Sequence, residues 1–99
     1  MPYTGFDWDE GNASKNEKQG VTKPEVEQVF LNAPLLLAED RKHSQREQRF
    51  HALGRTDQDR RLHVTFTERE NRTLIRPISA RAMSRKERDL YEQAVKAHS

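Results

Sequence analysis

The chain has 99 residues, of which 32% are hydrophobic and 34% charged, with a mean hydropathy of −1.12 and a formal charge of +2. That length suits one small domain with a modest core, and the lack of cysteine excludes disulfides, thiolate zinc sites and cysteine nucleophiles. No apolar run approaches the roughly 18 residues of a membrane span, so a soluble, cytoplasmic chain is expected, a single domain over 1–99.

After a flexible lead at 1–5, Phe6-Asp7-Trp8 is a short strand candidate, and Asp9 can cap a helix that runs towards Gly20. Thr22 stands three residues before Glu25, the spacing of a capping box, and Val21 can staple onto Val26. Val26, Val29 and Phe30 then form one buried face of a second helix. Asn32-Ala33-Pro34 stops it, because a proline cannot continue the hydrogen-bond ladder and pushes its predecessor out of helical geometry.

A strand is predicted over 35–39, a polar loop over 40–45 and a strand over 47–53 that ends at Gly54. Asp57-Gln58-Asp59 supplies a turn into a strand over 61–67, where Leu62, Val64 and Phe66 alternate with His63, Thr65 and Thr67 as in a half-buried antiparallel strand. A turn at 68–71 leads to a last strand over 73–80, and Pro77 within it, lacking an N–H, requires an edge or a bulge. Ser84 and Glu87 repeat the capping-box spacing, opening a helix over 84–97 with a Leu90, Tyr91, Ala94, Val95 stripe. Helices at the two ends of the order and four strands in a run imply an α+β domain, an antiparallel sheet with two N-terminal helices and a C-terminal helix packed on it.

Charge is distributed unevenly: residues 1–31 carry three bases and six acids, residues 72–99 seven bases and three acids. The basic pole is the stretch RPISARAMSRKERDLYEQ at 76–93, which gathers Arg76, Arg81, Arg85, Lys86 and Arg88. The N–H groups at a helix start favour an anion, so Arg76, Arg81 and Arg85 around a strand-to-helix junction suit a phosphate or a partner's carboxylates. A salt-bridged, solubilising turn accounts for them equally well from sequence.

WDEGNASKNEKQGV at 8–21, EQRFHALGR at 47–55 and ISARAMSRKERDLYE at 78–92 together resemble the BrnT family of toxins from bacterial type II toxin–antitoxin systems. The resemblance implies a RelE-like fold, metal-independent endoribonuclease activity that inhibits translation, and no cofactor. It also implies a BrnA-type antitoxin as protein partner, with operator DNA reached only through that antitoxin, and no membrane. The chain has Gln19 where the family usually has His, and Pro77 where an apolar strand residue is usual.

Cleavage by attack of a ribose 2′-OH needs a base, cations around the phosphorane and an acid at the leaving oxygen. Glu47, Arg49 and His51 are spaced by two and would share one face of a strand. From spacing alone they are better taken as solvated residues of an exposed face, and the resemblance raises Glu47 and Arg49. With the family in view the catalytic candidates are Glu47, Arg49, Arg81 and Arg85, and the RNA-binding candidates Lys15, Lys18, Arg76 and His51. Trp8 could stack on a base, although a Trp at the start of a small domain is more often core. His43, His63 and His98 have no metal-ligand spacing and are taken as surface histidines. The competing function is a non-catalytic RNA- or protein-binding domain that uses the arginines between Arg76 and Arg88.

Overall fold

A computed structural model describes residues 3–43 and 47–98. Its elements are β1 (Gly5–Phe6), α1 (Glu10–Lys18), α2 (Lys23–Leu31), β2 (Leu36–Asp40), β3 (Arg49–Arg55), β4 (Arg61–Arg69), β5 (Leu74–Ala82) and α3 (Arg85–His98), with a short 3₁₀ turn at Arg41–His43. The expected α+β order holds. The last part of the expected loop at 40–45 and the first part of the lead at 1–5 lie outside the described residues.

The strands form one sheet in the order β1-β5-β4-β3-β2. β2 to β5 are antiparallel neighbours, whereas β1 pairs parallel with β5 through Gly5–Leu74 and Phe6–Ile75. That parallel edge departs from the purely antiparallel sheet expected from sequence. Pro77 sits at a register shift, since Thr65 pairs with Ser79 but Phe66 with Pro77. Ile78 is thus the extra residue of a bulge, which resolves the missing N–H.

All three helices start as their caps dictate. Asp9 accepts from Asn12 N and receives Asn12's side chain at its own N–H, Thr22 does the same with Glu25, and Ser84 with Glu87. Gly20 takes a positive φ of 75° just past α1, as a residue without Cβ can.

Alternation along the strands divides the sheet into two faces. Ala52, Leu62, Val64 and Phe66 join Val26, Val29 and Phe30 of α2 in the main core, with Phe30 and Phe66 edge-on at 5.1 Å. On the other face Leu53 and Met83 pack with Tyr91 of α3, whose hydroxyl donates to the carbonyl of Pro34 at 2.6 Å. α3 covers only part of this second face, so Leu90 is 54% exposed instead of joining the core with its stripe.

Strand β3 begins two residues later than expected and runs through Gly54 to Arg55. The reason is a close approach: a Cβ at Gly54 would lie 2.7 Å from Val29 Cγ1 and 3.0 Å from Val29 O. Gly54 is the point where α2 meets the sheet, not a strand terminator. The hairpin between β4 and β5 is also displaced, because Glu68 and Arg69 continue the ladder opposite Ile75 and Leu74. Glu70, Asn71 and Arg72 then make the turn, all with positive φ.

Candidate active site

The register of the sheet arranges side chains on the second face as a grid. One row runs Leu36, Leu53, His63, Arg81 and the next Ala38, His51, Thr65, Ser79, with each pair directly opposite across neighbouring strands. A third pairs Asp40 with Arg49 and Arg49 with Thr67. Diagonal neighbours between rows lie within reach of long side chains, and polar contacts follow those diagonals.

His51 Nε2 is 3.0 Å from the Asp40 carboxylate, whose side chain is only 11% exposed. On its other side His51 Nδ1 is 3.0 Å from His63 Nε2 and 3.1 Å from Thr65 Oγ1, and the two imidazoles overlap at 4.8 Å between ring centres. His63 is buried, at 9% exposure. Burial first, and then the neighbouring Arg81 guanidinium, push its pKa down to about 4, against a smaller opposing effect of Glu87.

Arg81 and Glu87 close the other end. Arg81 donates from both terminal nitrogens to the two Glu87 oxygens, at 2.8 and 3.0 Å, and to its neighbour's carbonyl at Ala82. Glu87 Oε1 also accepts the N–H of Ser84, so one carboxylate both caps α3 and grips the end of β5. The hydrogen bonds from Arg81, and less so the Ser84 N–H, bring the Glu87 pKa down to about 2 against its burial. Among the described residues three of the five guanidinium N–H groups of Arg81 are engaged, which leaves two for a ligand.

His51, His63, Arg81 and Glu87 line a single cleft of about 540 Å³, and Leu36 and Leu53, beside His63 in the same row, with Leu90 of α3 give it an apolar wall. A cation with spare donors, an imidazole pair and a greasy wall together can hold a phosphate, move a proton and seat a base or ribose.

Of the residues selected from sequence, His51 and Arg81 therefore meet in one cleft. Arg49 stands one register step from His51, across from Asp40 and Thr67. Glu47 lies just before β3 in a bend and is ion-paired with Arg69. Arg85 is the first residue of α3 and exposed. Arg76 is not at the junction with Arg81 and Arg85: five residues of extended chain, about 16 Å, separate it from Arg81, and it is ion-paired with Asp7 and Asp9. Lys15 lies near it, beside a separate hollow with Asp9, Asn12 and Pro77, and Lys18 is exposed in the last turn of α1. Trp8 packs against the core and donates its indole N–H to Glu27 at 2.8 Å.

Sequence reasoning missed His63, Asp40 and the clamping role of Glu87. His63 shares the phase of Thr65 along β4, a signal of its face, but only the register with β3 puts that face beneath His51. Among the described residues no helix is long and apolar enough to cross a membrane.

Compared with known proteins, residues 8–87 match the family model described as the ribonuclease toxin, BrnT, of type II toxin–antitoxin systems. No curated protein matches the chain.

Proposed function

The chain belongs to the BrnT family of ribonuclease toxins of type II toxin–antitoxin systems, and from that premise we propose that it is an endoribonuclease that cuts RNA without a metal ion and thereby inhibits translation. Its fold is of the RelE-like kind, its site of action is the cytoplasm, and its partner is a BrnA-type antitoxin that carries the operator-binding function. The observation that carries this reading is the convergence of His51 and Arg81 on one cleft with an apolar wall.

In that cleft the two open donors of Arg81 meet the non-bridging phosphate oxygens and stabilise the charge that gathers on them as the phosphorane forms. Arg49 and Arg85 add positive charge at the rim, and Glu47 holds Arg69 near the start of β3. Imidazole supplies proton transfer, and the leucine wall excludes water from one side of the bound nucleotide. Lys15, Lys18 and Arg76, on the α1 side, extend contact along the RNA backbone.

The non-catalytic alternative uses the same arginines, and RNA binding that weakens steeply with salt while no product forms would favour it. Incubating purified, antitoxin-free protein with single-stranded RNA in EDTA should yield discrete fragments, and Arg81→Ala and Arg49→Ala should lose them while staying folded. RNA left intact both alone and on translating ribosomes would refute the activity.

A further inference from the structure

His63 is out of place as packing. It occupies the apolar row that begins with Leu36 and Leu53, and a leucine there would extend that row without the cost of burying an imidazole beside a guanidinium. What the histidine adds is a contact no aliphatic residue could make. A carboxylate only accepts, so Asp40 requires the proton of His51 on Nε2. Neutral His51 then presents a lone pair at Nδ1, and the 3.0 Å contact is satisfied when His63 donates its Nε2–H. The hydroxyl of Thr65 flanks the same lone pair. In this arrangement His63 keeps its own lone pair on Nδ1.

We propose that Asp40, His51 and His63 form a proton relay in which His63 is the general base of RNA cleavage, an assignment that rests on the ribonuclease reading above. The ribose O2′ attacks phosphorus, so that the O2′–P bond forms and the P–O5′ bond breaks. The O2′ proton goes to His63 Nδ1 while the Nε2 proton of His63 passes to His51 Nδ1. The positive charge thus comes to rest on His51, opposite the Asp40 carboxylate, and not on the buried ring next to Arg81. The leaving O5′ takes a proton from water, and the relay returns its extra proton to the same solvent. The ends produced are a 2′,3′-cyclic phosphate and a 5′-hydroxyl, with no net gain or loss of protons.

This division of labour explains how a ring that resists protonation can serve as a base: it carries a full charge only in transit. The charged and titratable groups around the pair are Asp40 from β2, Arg49 on the same face of β3 two residues before His51, Arg81 from β5 and Glu87 from α3. His63 would be the catalytic residue, and His51 and Asp40 positioning residues that act through it.

The test is single-turnover cleavage of a short single-stranded RNA by the intact protein, with RNA affinity measured alongside. His63→Gln can still donate to His51 but cannot accept the proton in turn; its rate should fall about 100-fold or more with affinity within about threefold of wild type. Asp40→Asn keeps a hydrogen-bond acceptor for His51 but removes the charge. It should lower the plateau rate about tenfold and move the acid limb of the pH–rate profile to lower pH, because the relay becomes a weaker base, a displacement that a merely structural role would not give. Wild-type cleavage with His63→Gln within about threefold of it overturns the relay alone; if wild type itself cuts no RNA, the ribonuclease reading falls and the relay with it. Should His63→Gln fail to fold, the Asp40→Asn profile decides, and an unmoved acid limb overturns the proposal.

Discussion

Replacing Gly54 with alanine tests the seat of α2 on the sheet, which also sets the backbone of the strand that carries His51. The added methyl would stand 2.7 Å from Val29 Cγ1 and 3.0 Å from the Val29 carbonyl oxygen, where ordinary contacts are 3.4 Å or more. The side chain of Val29 is fully buried and cannot rotate into free space, and its carbonyl belongs to the hydrogen-bonded backbone of α2. The helix must therefore shift by several tenths of an ångström and loosen the packing of Val26 and Phe30. Overpacking of this kind costs about 1–3 kcal/mol, and alanine recovers about 0.5 kcal/mol through its lower unfolded-state entropy. A net loss of about 1.5 kcal/mol is expected, read as a lower midpoint in urea unfolding with unchanged slope. Gly5→Ala is the internal control: its nearest contact is 3.5 Å to Leu74 Cδ2, an ordinary van der Waals distance, and a change within about 0.5 kcal/mol is expected there. If Gly54→Ala unfolds within about 0.5 kcal/mol of wild type, the close approach of α2 to β3 is wrong.

Two further outcomes concern pH. Because His63 is depressed from 6.5 to about 4, the unfolded chain binds more protons than the native one between those values; stability should be full above pH 6.5 and fall by up to about 3 kcal/mol by pH 4. His63→Leu should flatten that part of the profile in thermal melts at stepped pH, and an unchanged slope would refute the burial argument. Glu87 is depressed from 4.5 to about 2, so its contribution is present above pH 4.5 and lost as pH falls through about 2. Glu87→Gln keeps the acceptor for Ser84 N but not the charged clamp on Arg81; a loss of about 1 kcal/mol at neutral pH, shrinking in acid, is expected from guanidinium titrations.

Elements with local causes were legible in the sequence. The caps at Asp9, Thr22 and Ser84 and the alternation over 61–67 were visible because each depends on residues a few positions apart. The errors were of a different origin. Glycine usually breaks a strand, but Gly54 lies inside β3 because a non-local contact with Val29 requires it. The start of β3 at Arg49, past Glu47, is not legible because a stretch rich in polar residues carries no boundary signal. Proximity in sequence groups the arginines of the basic stretch, but an extended strand moves Arg76 away from Arg81, and Asp7 and Asp9 hold it there. His63 looked like a surface residue because alternation specifies a face but not what lies across it. The relay spans β2, β3 and β4, and its register is a property of pairing that no single segment encodes.

The two-faced alternation of β4 has a consequence for which forms of the protein can be harmful. Leu62, Val64 and Phe66 are completely buried on one side, while His63 lies on the other. A slip of one residue against β3 would send His63 into the hydrocarbon interior and three apolar side chains into the cleft. A misregistered chain would lose its core and its chemistry together. In a protein of this family, a one-residue slip between two strands would therefore disarm the chain as it unseats the core.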